Sequence, residues 1–119
     1  MIEYISSPNS PAPKSPYSPA VRAGDFIFVS GQAVLGDVQS ATREILTNIR
    51  AVLEAGGASL ADVVRCGVYL MDAEDFQAMN AAYGEMFGST RPARSTIIVA
   101  ALPLPGALVE IDCVAYKPK

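Results

Sequence analysis

Histidine is absent from this chain of 119 residues. That removes the commonest general base and the commonest metal ligand. Any chemistry must then rest on carboxylates, tyrosine, hydroxyls, arginine, backbone groups and water. Cysteine is scarce: Cys66 and Cys113 are too few for a disulfide framework. Both sit in apolar segments, where a thiol reads as a small hydrophobe with no metal role. Charged residues make up only 18% of the chain, net charge is −3, and no basic run is present. A nucleic-acid partner is therefore not expected, since phosphates are neutralised by basic stripes. No apolar run approaches the roughly 18 residues of a membrane span. The start, Met1-Ile2-Glu3-Tyr4, has neither the basic nor the apolar region of a secretory signal. A cytoplasmic setting is expected.

Half of the residues are hydrophobic, ample for one core, and the length predicts a single domain over residues 1–119. Five prolines fall within 7–19, which reads as a surface arm. Short extended pieces are predicted over 3–6 and 18–22, and a turn at Ala23-Gly24-Asp25. A strand over 26–30 is apolar on both faces and ends at Gly31. Asp37 is the expected cap of a helix to about Ala55, with Ile45, Ile49, Val52 and Leu53 as its stripe and Gly56-Gly57 as its stop. The next strand, 63–70, places Val64, Cys66, Val68 and Leu70 on one face and Arg65, Gly67 and Tyr69 on the other. Asp72 resembles an N-cap, with Asp75 at the third helical position. The helix that follows carries Phe76, Met79, Tyr83 and Met86 inward and ends at Gly88. Strands over 95–101 and 108–116, joined by the loop 103–106, complete the chain.

Two helices can cover one face of such a sheet. The segments 26–29 and 97–102 are apolar on both faces, so the other face needs a partner. Self-association is the simplest one.

Four places can carry chemistry. Arg94 either pairs with Glu110 or Asp112 inside the fold, or its planar fork binds a carboxylate of something else. Glu110, at the head of a half-buried strand, is either a solvated or structural carboxylate or one that orients a water. Tyr17 is either a plug over apolar surface or a wall over a ligand. Ser30-Gly31 ends a strand, where the glycine either makes a turn or bulge or lets backbone approach a ligand.

Taken together, these residues carry a resemblance. Pro16-Tyr17-Ser18, Phe28-Val29-Ser30-Gly31-Gln32, Asn48, Asp75-Phe76 through Asn80 and Tyr83, Arg91-Pro92-Ala93-Arg94-Ser95 and Ala107-Leu108-Val109-Glu110-Ile111 resemble the RidA/YjgF family of enamine/imine deaminases. The resemblance implies an α+β, chorismate-mutase-like domain of the bacillus type: one mixed β-sheet with two helices on one face, assembled as a homotrimer. It implies three clefts, each lined by two chains. Arg94 matches the family's carboxylate-binding arginine, Glu110 its water-associated glutamate, Tyr17 its cleft tyrosine, and Ser30 and Gly31 its Ser-Gly pair. Thr96, where some members have cysteine, joins the substrate-binding set.

The implied reaction is hydrolysis of a small 2-imino acid, such as 2-iminopropanoate or 2-iminobutanoate, to a 2-keto acid and ammonia, with no metal or organic cofactor. The chain departs from the family pattern in a shortened loop after Gln32, in Ser15 and Pro19, and in a longer Leu104-Pro105-Gly106 connection. These changes leave the arginine and glutamate in place and the substrate open. The alternatives are a deaminase of a larger aminomuconate- or aminoacrylate-like compound and a non-catalytic binder of small carboxylates. Endoribonuclease, another name used in the family, is disfavoured by the acidic balance, the missing histidine and the missing basic patch.

Overall fold

Strand-forming segments alternate with two helical ones in the computed structural model, which describes residues 1–119. The strands are β1 (Ile2–Ile5), β2 (Ala20–Ala23), β3 (Phe26–Ala33), β4 (Val63–Leu70), β5 (Ala93–Ile98) and β6 (Val109–Tyr116), and the helices are α1 (Val38–Ala55) and α2 (Phe76–Phe87). All six strands join one sheet in the order β1-β2-β3-β6-β4-β5. Every neighbouring pair is antiparallel except β4–β5. That parallel pair needs a crossover, which α2 provides. No helix is long and apolar enough to cross a membrane.

Helix α1 starts where Asp37 accepts a hydrogen bond from the Ser40 amide at 3.0 Å, and it ends at Gly56, followed by Gly57 at φ +84°. Its stripe is Ile45, Leu46, Ile49, Val52 and Leu53, all fully buried. The stripe packs across β3 and β6, and α1 also lies against α2. Ile27, Val68, Leu70, Val109 and Ile111 meet it from the sheet. Each such side chain contributes roughly 1.5–3 kcal/mol by leaving water.

Alternation along the paired strands assigns the faces. Phe26, Phe28, Ile97 and Tyr116 point away from the helices and are 41–51% exposed as a group with Ile98 on the sheet edge. The open apolar face expected from the sequence is therefore present.

Several boundaries differ from expectation. β3 does not stop at Gly31 but runs on to Ala33. The register between Val29 and Gln32 slips by one residue against β6, a bulge at Ser30-Gly31. A second bulge on β4 lets Val63 pair with Ala115 and Arg65 with Val114. Val63 is thereby buried and Val64 is turned out to solvent; strict alternation had placed Val64 inside. Asp72 caps a short 3₁₀ turn, Ala73–Asp75, that feeds α2. Phe76, at the mouth of that turn, is exposed and Met86 only half-buried, while Ala82 and Phe87 take the interior places. β5 comes two residues early and is an edge strand, so Arg94 stands within it and not ahead of it.

Candidate functional site

β5 is held to β4 with Cys66 opposite Arg94 and Val68 opposite Thr96. Cys66 and Val68 are fully buried beneath the helices, so Arg94 and Thr96 belong to the helix-covered face. β6 is held to β4 with Glu110 opposite Tyr69 and Asp112 opposite Gly67. These belong to the other face. Arg94 and Glu110 thus stand on opposite sides of the sheet. Neither acid considered for Arg94 reaches it, and the internal ion-pair reading fails for a geometric reason.

Asp112 is occupied elsewhere. It accepts from the Gly67 amide at 3.1 Å and from the Tyr69 hydroxyl at 2.8 Å. A Cβ on Gly67 would lie 2.6 Å from the Asp112 Oδ1, so the glycine makes room for this carboxylate. The bond raises the Tyr69 hydroxyl pKa, with desolvation adding to it.

Arg94 forms no ion pair with any acid of the chain. Its guanidinium carbon sits 4.8 Å from the Tyr83 ring centroid and 5.7 Å from that of Phe76. Its Nη1 is 3.9 Å from the Met79 Sδ. Rings orient the guanidinium without neutralising it. The cleft above it, about 430 Å³, is lined by Asn80, Tyr83, Gly84, Arg91, Pro92 and Arg94. Sequence reasoning took Tyr83 only as core; its position one turn after Met79 on the inward face was the available signal for this platform.

Glu110 lies in a second cavity, about 370 Å³, lined by Ser15, Tyr17, Ser30, Gly31, Pro103 and Glu110. An adjoining space brings in Lys14, Gln32 and Leu104. Four of the predicted site residues therefore meet here, and the other two, Arg94 and Thr96, share a face of β5. Gly31 is close-fitted: a Cβ there would lie 2.5 Å from the Glu110 Oε2. The bulge thus sets backbone directly beside the carboxylate. Burial raises the Glu110 pKa above its usual 4.5, and the charge of Asp112 raises it further. Ser30 ties the proline-rich arm to the sheet: its amide donates to the Pro19 carbonyl at 3.0 Å and its hydroxyl to the Ser18 carbonyl at 2.6 Å. The hydroxyl proton is thereby committed, and its lone pairs remain for a ligand. Tyr17, 51% exposed, stands at the rim.

The largest cavity, about 500 Å³, lies at the far end of the sheet beside Arg22, Glu3 and Lys117. It is a poorer candidate. Arg22 is 4% exposed, and its guanidinium donates to the carbonyls of Gly24, Lys117 and Gly56 at 3.3, 2.7 and 3.1 Å. That cation is a structural clamp, and sequence reasoning passed over it because a single arginine in a short strand carries no pattern.

The family model described as endoribonuclease L-PSP matches residues 7–117. A RutC family protein of Pyrococcus horikoshii is 45% identical, covering 98% of this chain and 99% of the relative. A protein of Dermatophagoides farinae named 2-iminobutanoate/2-iminopropanoate deaminase is 40% identical, with 92% of each covered. Among solved structures, E. coli TdcF with bound serine superposes with a TM-score of 0.91 at 30% identity, over 97% of this chain and 98% of that one. With its unpaired arginine on an aromatic platform and its glutamate beside a Ser-Gly bulge, the chain belongs to the endoribonuclease L-PSP family, the YjgF/RidA family.

Proposed function

We propose that the protein is a hydrolytic deaminase of small 2-imino and enamine acids, of the 2-iminobutanoate/2-iminopropanoate type. The observation that carries this reading is Arg94: a cation in a cleft, oriented by Tyr83 and Phe76, without a carboxylate of its own. A guanidinium so placed gains two parallel charge-assisted hydrogen bonds when a substrate carboxylate arrives. The deaminase name of the mite relative and the serine bound to TdcF, an amino acid with the same carboxylate, support it.

The two half-sites lie on opposite faces of one chain, so a complete site requires two copies. In the proposed homotrimer the apolar faces bearing Phe26, Phe28 and Tyr116 are buried between subunits. Arg94 of one copy then meets Tyr17, Ser30, Gly31 and Glu110 of the next. Arg94 fixes the carboxylate, and Thr96, two residues along the same face, borders it. The C=N carbon faces a water held by Glu110. Glu110 takes a proton from that water as it adds and passes it to the imine nitrogen, giving a carbinolamine. The hydroxyl proton then moves by the same carboxylate to the nitrogen, the C=O bond forms, the C–N bond breaks and ammonia leaves. An imine is already electrophilic, so positioning supplies much of the acceleration, and a carboxylate with a raised pKa suits proton transfer in both directions. A cytoplasmic setting is part of this proposal.

Bound serine equally fits a protein that holds small amino or keto acids without turnover. One experiment separates the two. With 2-iminobutanoate generated in situ, the wild-type chain should accelerate keto-acid release, and Arg94→Ala should lose at least about 100-fold in kcat/KM, the scale of a charge-assisted bidentate contact. Full activity in the variant refutes the carboxylate grip. Thermal stabilisation by 2-ketobutanoate without turnover in the wild type selects the binder.

A further inference from the structure

Cys66 and Cys113 are not scattered core residues. They are direct partners across β4 and β6. Both are free thiols, at 0% and 3% exposure. Directly opposed residues of an antiparallel pair have Cα atoms about 4.5–5.5 Å apart and side chains on the same face. That separation falls inside the roughly 4.4–6.8 Å window a disulfide spans. The register continues outward from Cys66 to Arg94 on β5, so the two thiols and the unpaired guanidinium form one row across three strands. Tyr83 roofs the row. Its ring carries Arg94, it is 7% exposed, and its hydroxyl is buried without a hydrogen-bond partner.

We propose that Cys66 and Cys113 form a dithiol that closes to an intrachain cross-strand disulfide on reaction with a small uncharged peroxide, and that closure is felt at Arg94. The Cys66 sulfur attacks one peroxide oxygen; the O–O bond breaks, water leaves and Cys66 becomes a sulfenic acid. The Cys113 sulfur then attacks the Cys66 sulfur, the S–O bond breaks, and a second water leaves with the remaining thiol proton. Two thiols and one peroxide give one disulfide and two waters. The order follows from the environment. The neighbouring Cys113 thiol holds the Cys66 pKa below its usual value, while the Cys66 thiol and burial push Cys113 up. Cys66 is therefore the attacking sulfur and Cys113 the resolving one.

The test is hydrogen peroxide applied to the folded chain until its methionines begin to oxidise, followed by alkylation in denaturant. The expected product is a monomeric chain lighter by two hydrogens, refractory to alkylation, with the peptides containing Cys66 and Cys113 linked. The Arg94 side-chain N–H resonance should move on oxidation and return with a thiol reductant. In Cys113→Ser the sulfenic acid should persist at Cys66 and be trapped by dimedone. Two alkylatable thiols after methionine oxidation, oxygen adducts without a link, or a disulfide between chains would overturn the proposal. An unmoved Arg94 resonance in the linked protein would overturn its second part.

Discussion

Glu110 and Arg94 are shaped by opposite deficits. Arg94 lacks an acid, and Glu110 lacks a cation while sharing its face with Asp112. The folded chain therefore holds the Glu110 proton at pH values where the unfolded chain has released it. That contribution to stability is full below the usual 4.5 and is lost as pH rises through the raised folded value. A reaction that needs the carboxylate should follow the same titration. The kcat/KM profile is predicted to carry an acid limb whose midpoint lies above 4.5, absent from the residual activity of Glu110→Gln. A limb at or below the usual value would mean that Glu110 does not take the proton. Gly31 is part of the same arrangement, since its missing side chain is what admits the Glu110 carboxylate.

Most elements were legible because their signals are local. The Asp37 cap, the Ile45–Leu53 stripe and the Gly56-Gly57 stop all describe α1 as it stands. The bulge on β4 was not legible. Alternation read across 63–70 gives Val64 an interior place, and only the register against β6 turns it outward. At Ser30-Gly31 the glycine signalled a turn or bulge; the register against β6 makes it a bulge, and the strand runs on past it. The early start of β5 has a similar cause: Ala93 and Arg94 are drawn into the sheet by Arg65 and Cys66 of β4, a pairing no local pattern encodes. The sequence named Arg94 and Glu110 as candidates, but not that β5 and β6 present them to opposite faces. Arg22 makes a further prediction at this scale. It ties β2 to the end of α1 and to the segment after β6. Arg22→Met should strand three carbonyls and lower stability by about 2–3 kcal/mol, the cost typical of hydrogen bonds to a charged group. Denaturant unfolding measures it; a loss below about 0.5 kcal/mol, the range of ordinary surface substitutions, would show the clamp to be idle.

At the scale of the whole molecule, the sheet has one covered face and one apolar open face, and in the proposed assembly each half of the site takes the other from a second copy. Phe28 is 49% exposed at the middle of the open face. Phe28→Lys should convert the proposed trimer to monomers in light scattering and remove activity with it, while the helix-side core stays folded. A trimer that survives the substitution would place the interface elsewhere. The central claim is that Arg94 of one subunit works with Glu110 of the next. Its most direct measurement mixes two inactive variants, Arg94→Ala and Glu110→Gln, by co-refolding at equal amounts. In a cyclic trimer assembled at random, about one quarter of the clefts receive both native residues. The mixture should therefore recover about a quarter of wild-type deaminase activity. Activity no greater than that of the separate variants would contradict a site shared between chains.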